Sequence, residues 1–142
     1  MRDTRGGAVS QLEFADELMA RISPRAGRFH PRAFFFVLAA LERHQERLSE
    51  RRHVSGGELS HACRELALEQ YGLLARTVLE HWGIRTTGDF GEIVYALIDA
   101  GLLIRRPEDR PEDFQGVFHF ERAFEDEYVW AKDVMREGEG ER

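Results

Sequence analysis

Cysteine is almost missing from this chain. Cys63 stands alone among 142 residues, which excludes an internal disulfide framework and a thiolate zinc site, whose ligands come as closely spaced pairs. Lysine is nearly absent as well: Lys132 is the only one, so arginine carries the positive charge. Long apolar runs are lacking too. The longest, 33–41, is about half of the roughly 20 residues that a bilayer requires. The opening MRDTRGG has no apolar core of the kind a secretory leader needs. Together these absences point to the reducing cytoplasm and away from a membrane. HExxH and a phosphate-cradling glycine pattern are missing, so no metal or cofactor is expected.

What is present suffices for a core. Hydrophobic residues make up 42% and charged residues 32%, a balance that suits a folded domain with a well-solvated surface. The net charge of −6 is unevenly spread. Between Arg21 and Arg64 nine arginines face four glutamates, whereas from Glu65 onward eighteen acids face nine bases.

Helical periodicity dominates the first hundred residues. Ser10 and Glu13 have capping-box spacing, and Leu12, Ala15, Leu18, Met19 and Ile22 recur as one face up to Pro24. Pro31 suits a first turn because its missing N–H needs no partner. Phe34, Val37, Leu38, Leu41 and Leu48 follow as an inward stripe, widened by Phe35 and Phe36. Ser55 and Glu58 repeat the capping box ahead of Leu59, Ala62, Cys63, Leu66, Ala67 and Leu74. Gly72 breaks or bends that helix. A short helix with Ala75, Val78, Leu79 and Trp82 inward stops at Gly83. Thr87 is then expected to cap a helix whose inward residues are Phe90, Ile93, Val94, Leu97 and Ile98.

After Gly101 the period changes to two. Residues 102–105 and 117–120 read as short strands, joined by a polar tip holding Pro107, Pro111 and Gly116. The expected fold is therefore mainly α: a helical pair over 9–52, then a winged-helix-like part over 55–130 with three helices and a short β-hairpin. Both belong to one domain, 9–130, with 1–8 and 136–142 as flexible ends.

Four stretches are familiar in combination: HVSGGEL at 53–59, RELALEQYG at 64–72, VLEHWGIRTTGDFGEIVYALIDAGLL at 78–103, and EDFQGVFHFERAF at 112–124. The chain resembles a family of uncharacterised bacterial proteins, known mainly from planctomycetes and verrucomicrobia, over about residues 12–128. Leu73 departs from it, standing where a proline is expected. The resemblance implies the domain limits and carries neither activity nor catalytic residues.

Three functional classes remain to be weighed. A winged helix invites DNA binding through its third helix, yet that helix carries Asp89, Glu92 and Asp99 and no base. Phosphate repels such a face. The face is better suited to contact protein, together with Tyr128 and Trp130 near the end, since aromatic side chains with a polar edge anchor interfaces. The leading expectation is thus a non-enzymatic protein-interaction module, or a chain that self-associates. The alternative is a nucleic-acid-binding protein. It would use Arg43, Arg47 and Arg51, which stand four apart on one helical face, although Glu42, Glu46 and Glu50 are interleaved. A small enzyme comes third. Cys63 falls on an apolar face, as an inert core residue would, and DFGE at 89–92 lacks every other part of a kinase.

Overall fold

Apolar side chains at helical spacing must be turned toward one another, and in this chain that requirement builds five helices. The computed structural model describes residues 2–3, 11–22 and 26–126. The helices are α1 (Gln11–Arg21), α2 (Pro31–Arg47), α3 (Gly56–Tyr71), α4 (Ala75–His81) and α5 (Thr87–Asp99). The described chain is thus mainly helical. Two short strands, β1 (Arg2–Asp3) and β2 (Leu103–Ile104), pair antiparallel. None of the described helices is long and apolar enough to cross a membrane.

α2, α3 and α5 begin where a cap satisfies free N–H groups. Pro31 opens α2, and the His30 ring nitrogen Nδ1 accepts from the Arg32 N–H. Ser55 Oγ accepts from the Glu58 N–H at 3.2 Å, giving half of the expected capping box. Glu58 does not reach back; its carboxylate is taken by His44 and Arg52. The cap of α5 is Thr86, one residue before the expected Thr87. Thr87 is buried instead, and its hydroxyl donates to the Phe114 carbonyl at 2.6 Å. Gly83 (φ +94°) ends α4 in the left-handed region, which only glycine enters without strain.

α2 packs against both α3 and α5, and α3 also contacts α4 and α5. Phe34, Val37, Leu41, Leu59, Cys63, Leu79, Phe90, Ile93, Val94 and Leu97 are among the side chains fully or nearly fully buried between them. Trp82 is buried as well and joins the halves: its ring lies 5.6 Å from Phe36 and 5.9 Å from Tyr71.

Some expectations fail at the ends of these elements. Met19 and Leu74 were assigned to inward faces, yet they are 44% and 64% exposed. Leu74 escapes because Gly72 (φ +54°) ends α3 and a 3-10 turn, Gly72–Leu74, rotates the next residues off the α3 face. The hairpin expected over 102–120 is replaced by other structure. β2 pairs with Arg2–Asp3, within the segment read as a frayed end, and residues 117–119 are irregular. Thr87 Oγ1 accepts from the Val117 N–H at 3.2 Å, and the His119 carbonyl accepts from Ala123 N as the chain turns helical. The alternating Phe118 and Phe120 serve an aromatic cluster rather than a strand, with centroids 5.8 Å apart and Phe120 lying 5.0 Å from Phe124. The chain then makes a π-helical turn, Arg122–Asp126.

Candidate functional site

Arg43 and Arg47 lie one turn apart on α2, but Arg51 does not share their helical face: α2 ends at Arg47, and the chain leaves it extended at Leu48. What faces this side of α2 decides the chemistry of Arg43 and Arg47. Glu65 and Glu69, also four apart, run along α3 beside it. Arg43 forms an ion pair with Glu69, and Arg47 lies 3.5 Å from Glu65 and 3.7 Å from Glu69. Arg51 turns back to Glu42 on its own segment, at 3.1 Å. The basic and acidic halves of the sequence therefore meet within one molecule, as a seam of alternating charge. Exposed pairs of this kind contribute only ~0.2–1 kcal/mol each, but they cancel the long-range positive potential that a phosphate backbone would feel.

The acids of α5 are likewise not all free. Asp89, Glu92 and Asp99 share one helical face at spacings of three and seven. Asp89 completes the cap of α5, accepting from the Arg85 N–H at 2.7 Å and the Thr86 N–H at 3.1 Å. Its other oxygen takes the Arg28 guanidinium at 2.7 Å, and Arg28 also pairs with Glu92. Hydrogen bonding to Asp89 raises the Arg28 pKa above its ordinary value, with Glu92 adding to it against the cost of burial. Arg28 stacks over the Phe29 ring, 4.0 Å from its centroid. The side chain of Asp89 is only 15% exposed, against 60% for Glu92. Asp99, at the end of α5, is exposed. Asp89 thus serves the fold, while Glu92 and Asp99 face outward. Tyr128 and Trp130 lie outside the described residues.

Two further clusters escape a reading by motif. Glu58 accepts both Arg52 nitrogens, at 3.0 and 2.7 Å, and faces His44 Nε2 at 2.5 Å. The Arg52 guanidinium, helped by His44, holds the Glu58 carboxyl down at about 2 against the opposing effect of burial. Gln45, buried on α2, bonds both the N–H and the carbonyl of Arg52. The second cluster joins His53 Nε2 to Asp109 Oδ1 at 2.7 Å, with Asp109 Oδ2 accepting from the Arg106 N–H at 2.8 Å. Burial pushes the Asp109 pKa up, but the Arg106 amide and the His53 ring outweigh it and leave it below the ordinary value. The partner that fixes His53 stands 56 residues away in the sequence.

These contacts converge on one place. Phe114, 1% exposed, inserts between α3 and α5. An added Cβ on Gly56 would meet its ring at 3.0 Å, and one on Gly91 would meet it at 2.9 Å. Thr87 bonds its carbonyl, and His53–Asp109 holds the loop that leads to it. The stretches HVSGGEL, TTGDFGE and EDFQG thereby assemble one joint. Its function is to fix the loop 105–116 onto the helices.

Cys63 is fully buried, and desolvation pushes its thiol far above the ordinary range, which removes the thiolate a nucleophile would need. Among the described residues no group of three or more His, Cys, Asp or Glu comes together as a metal site. His30 and His81 approach to 6.3 Å between centroids, but His30 Nδ1 is already engaged as the cap of α2. No family model matches the sequence, and no curated protein or solved structure matches it either.

Proposed function

We propose that the chain is a non-enzymatic, cytoplasmic protein-interaction module, with a winged-helix-like half that presents the outer acidic face of α5. What carries the reading is the destination of the positive charge. Arg43 and Arg47 are answered by Glu65 and Glu69, and Arg51 by Glu42, so each of these three arginines already has a carboxylate partner. Glu92 and Asp99 remain at the surface, and Tyr128 and Trp130 follow in the sequence as aromatic anchors. The winged-helix-like reading is supported by the succession of α3, α4 and α5, followed by β2 against α5. On this reading the loop over 105–116, which follows β2, would act as the wing. The partner, or a second copy, would offer arginine or lysine beside an apolar patch.

The test is capture on the immobilised native chain beside Glu92→Arg/Asp99→Arg. A partner held by the native chain and lost by the variant is expected. Identical retention on both, or none, sinks the reading.

One observation favours nucleic acid as a second reading. Arg47 and Glu69 are 55% and 61% exposed, so a polyphosphate can compete for the cation. Fluorescence anisotropy against duplex DNA and single-stranded RNA at low salt decides this. Binding that falls steeply with salt and weakens in Arg43→Ala/Arg47→Ala would put nucleic acid first.

A further inference from the structure

Tyr95 of α5 turns its side chain under the loop 105–116. Burial raises its pKa, and the charged groups that oppose or add to this, Arg105, Asp109, Asp113 and Glu112, all belong to that loop. The Arg105 guanidinium lies 5.8 Å from the centre of the Tyr95 ring. The Tyr95 hydroxyl is closed off from solvent, yet it meets no hydrogen-bond partner among the described residues. A buried phenol ordinarily finds one, and a hydroxyl held without a partner gives up its hydration for nothing in return. The closed loop therefore carries a cost that wetting of Tyr95 would remove.

The same loop is braced from within. Its sequence holds RPED twice in succession, at 106–109 and 110–113, and both copies fold alike. In each, the aspartate carboxylate accepts from the arginine N–H, at 2.8 Å for Asp109 and 3.1 Å for Asp113. In each, the aspartate N–H donates to the carbonyl of the same arginine at 3.0 Å. These bonds lie inside the loop and do not depend on the helices. Its ties to the rest of the molecule are of another kind: the His53–Asp109 bond, the Thr87 hydroxyl on the Phe114 carbonyl, and the Phe114 ring between Gly56 and Gly91.

We propose that the loop 105–116 is a strap poised to open: it swings off α5 as one braced piece, releasing His53 and Thr87, wetting Tyr95 and baring the slot that Phe114 fills. Burial of Phe114 keeps the closed form in the majority, and the unpartnered hydroxyl narrows the gap to the open one. Such an event is a local opening, distinct from global unfolding, because the packing of α2 on α3 does not have to break for it. The slot it bares, walled by Gly56 and Gly91, already admits a phenyl ring. This inference does not rest on the interaction reading.

The experiment is native-state hydrogen exchange of the full chain in low urea, read by NMR at the Val117 amide, which the Thr87 hydroxyl holds. Val117 is expected to exchange with little dependence on urea, whereas the buried amides of α2 follow global unfolding. Tyr95→Phe deletes only the hydroxyl. The closed form then gains, and exchange at Val117 should slow by roughly tenfold. Unchanged or faster exchange in this variant overturns the proposal, since it means that the hydroxyl is satisfied where it lies, as by a trapped water. A urea dependence at Val117 equal to that of α2 overturns it too, because the loop then leaves only when the whole chain unfolds. A second variant works from the opposite side. His53→Ala removes the bond to Asp109 and should quicken Val117 exchange while α2 keeps its protection; unchanged exchange at Val117 counts against the strap in the same way.

Discussion

Single residues settle the joint at Phe114, and the settling runs against local propensity. Gly91 lies inside α5, where alanine favours helix by up to ~1 kcal/mol. An added methyl there would meet three Phe114 atoms at 2.9 Å, and Phe114 is walled by Gly56 on the other side. Gly91→Ala is therefore expected to lose about 1–3 kcal/mol through overpacking. Urea unfolding should show a lower midpoint at unchanged slope; a higher midpoint would mean the joint has slack. Glu58 carries the acid limit. Its folded value, about 2, lies below the ordinary carboxylate value because Arg52 and His44 hold the anion. A depressed acid contributes stability above its unfolded value and loses it as pH falls toward the folded one. Stability should thus decline between about pH 5 and pH 2 in the native chain and decline less in Glu58→Gln, which should already be weaker at neutral pH. Equal pH slopes in the two would contradict this. The Ser55–Glu58 spacing announced a cap; it could not show that Glu58 would be claimed by His44 and Arg52 in place of the Ser55 amide.

At the scale of elements, the helices were legible and the strands were not, for one physical reason. A helix satisfies its backbone internally, so periodicity and caps suffice to locate it. Pro31, Gly72, Gly83 and Gly101 marked its ends well. A strand needs a partner elsewhere. The alternation at 117–120 is real, but Thr87 takes the Val117 N–H that a hairpin would have used, and β2 finds Arg2–Asp3 instead. Leu74 was misplaced by continuing the α3 period through a turn that resets it. Thr87→Val tests this account of the loop. It leaves the Phe114 carbonyl and the Val117 amide without their partner, at a cost of about 1–3 kcal/mol. Hydrogen exchange at Val117 should quicken by roughly tenfold or more, while the amides of α2 keep their protection relative to global unfolding. Unchanged exchange at Val117 would show that another group holds the loop.

The whole molecule is joined across the midpoint of its sequence, and this is where the candidate site was least legible. The shared face of Arg43 and Arg47 and the acidic helices could each be read from spacing, but only the fold decides that Glu65 and Glu69 face Arg43 and Arg47, and that Arg28 takes Asp89. The same closure governs stability. The His30 amide donates to the Trp82 carbonyl at 3.0 Å, and Phe36 packs on Trp82. α2 buries Val37 and Leu41 against elements that begin after residue 55. A helical pair over 9–52 standing alone would expose that stripe, and an isolated pair of helices cannot compensate with its own propensity. Unfolding of the full chain should accordingly be a single transition, with far-UV circular dichroism and tryptophan emission giving one midpoint. Chains cut to 1–54 and 55–142 should each be largely unfolded when separate, and helical signal should return when they are mixed. Two separated transitions, or a stable 55–142 chain, would mean that the second half is complete without α2 and that the charge seam joins two domains.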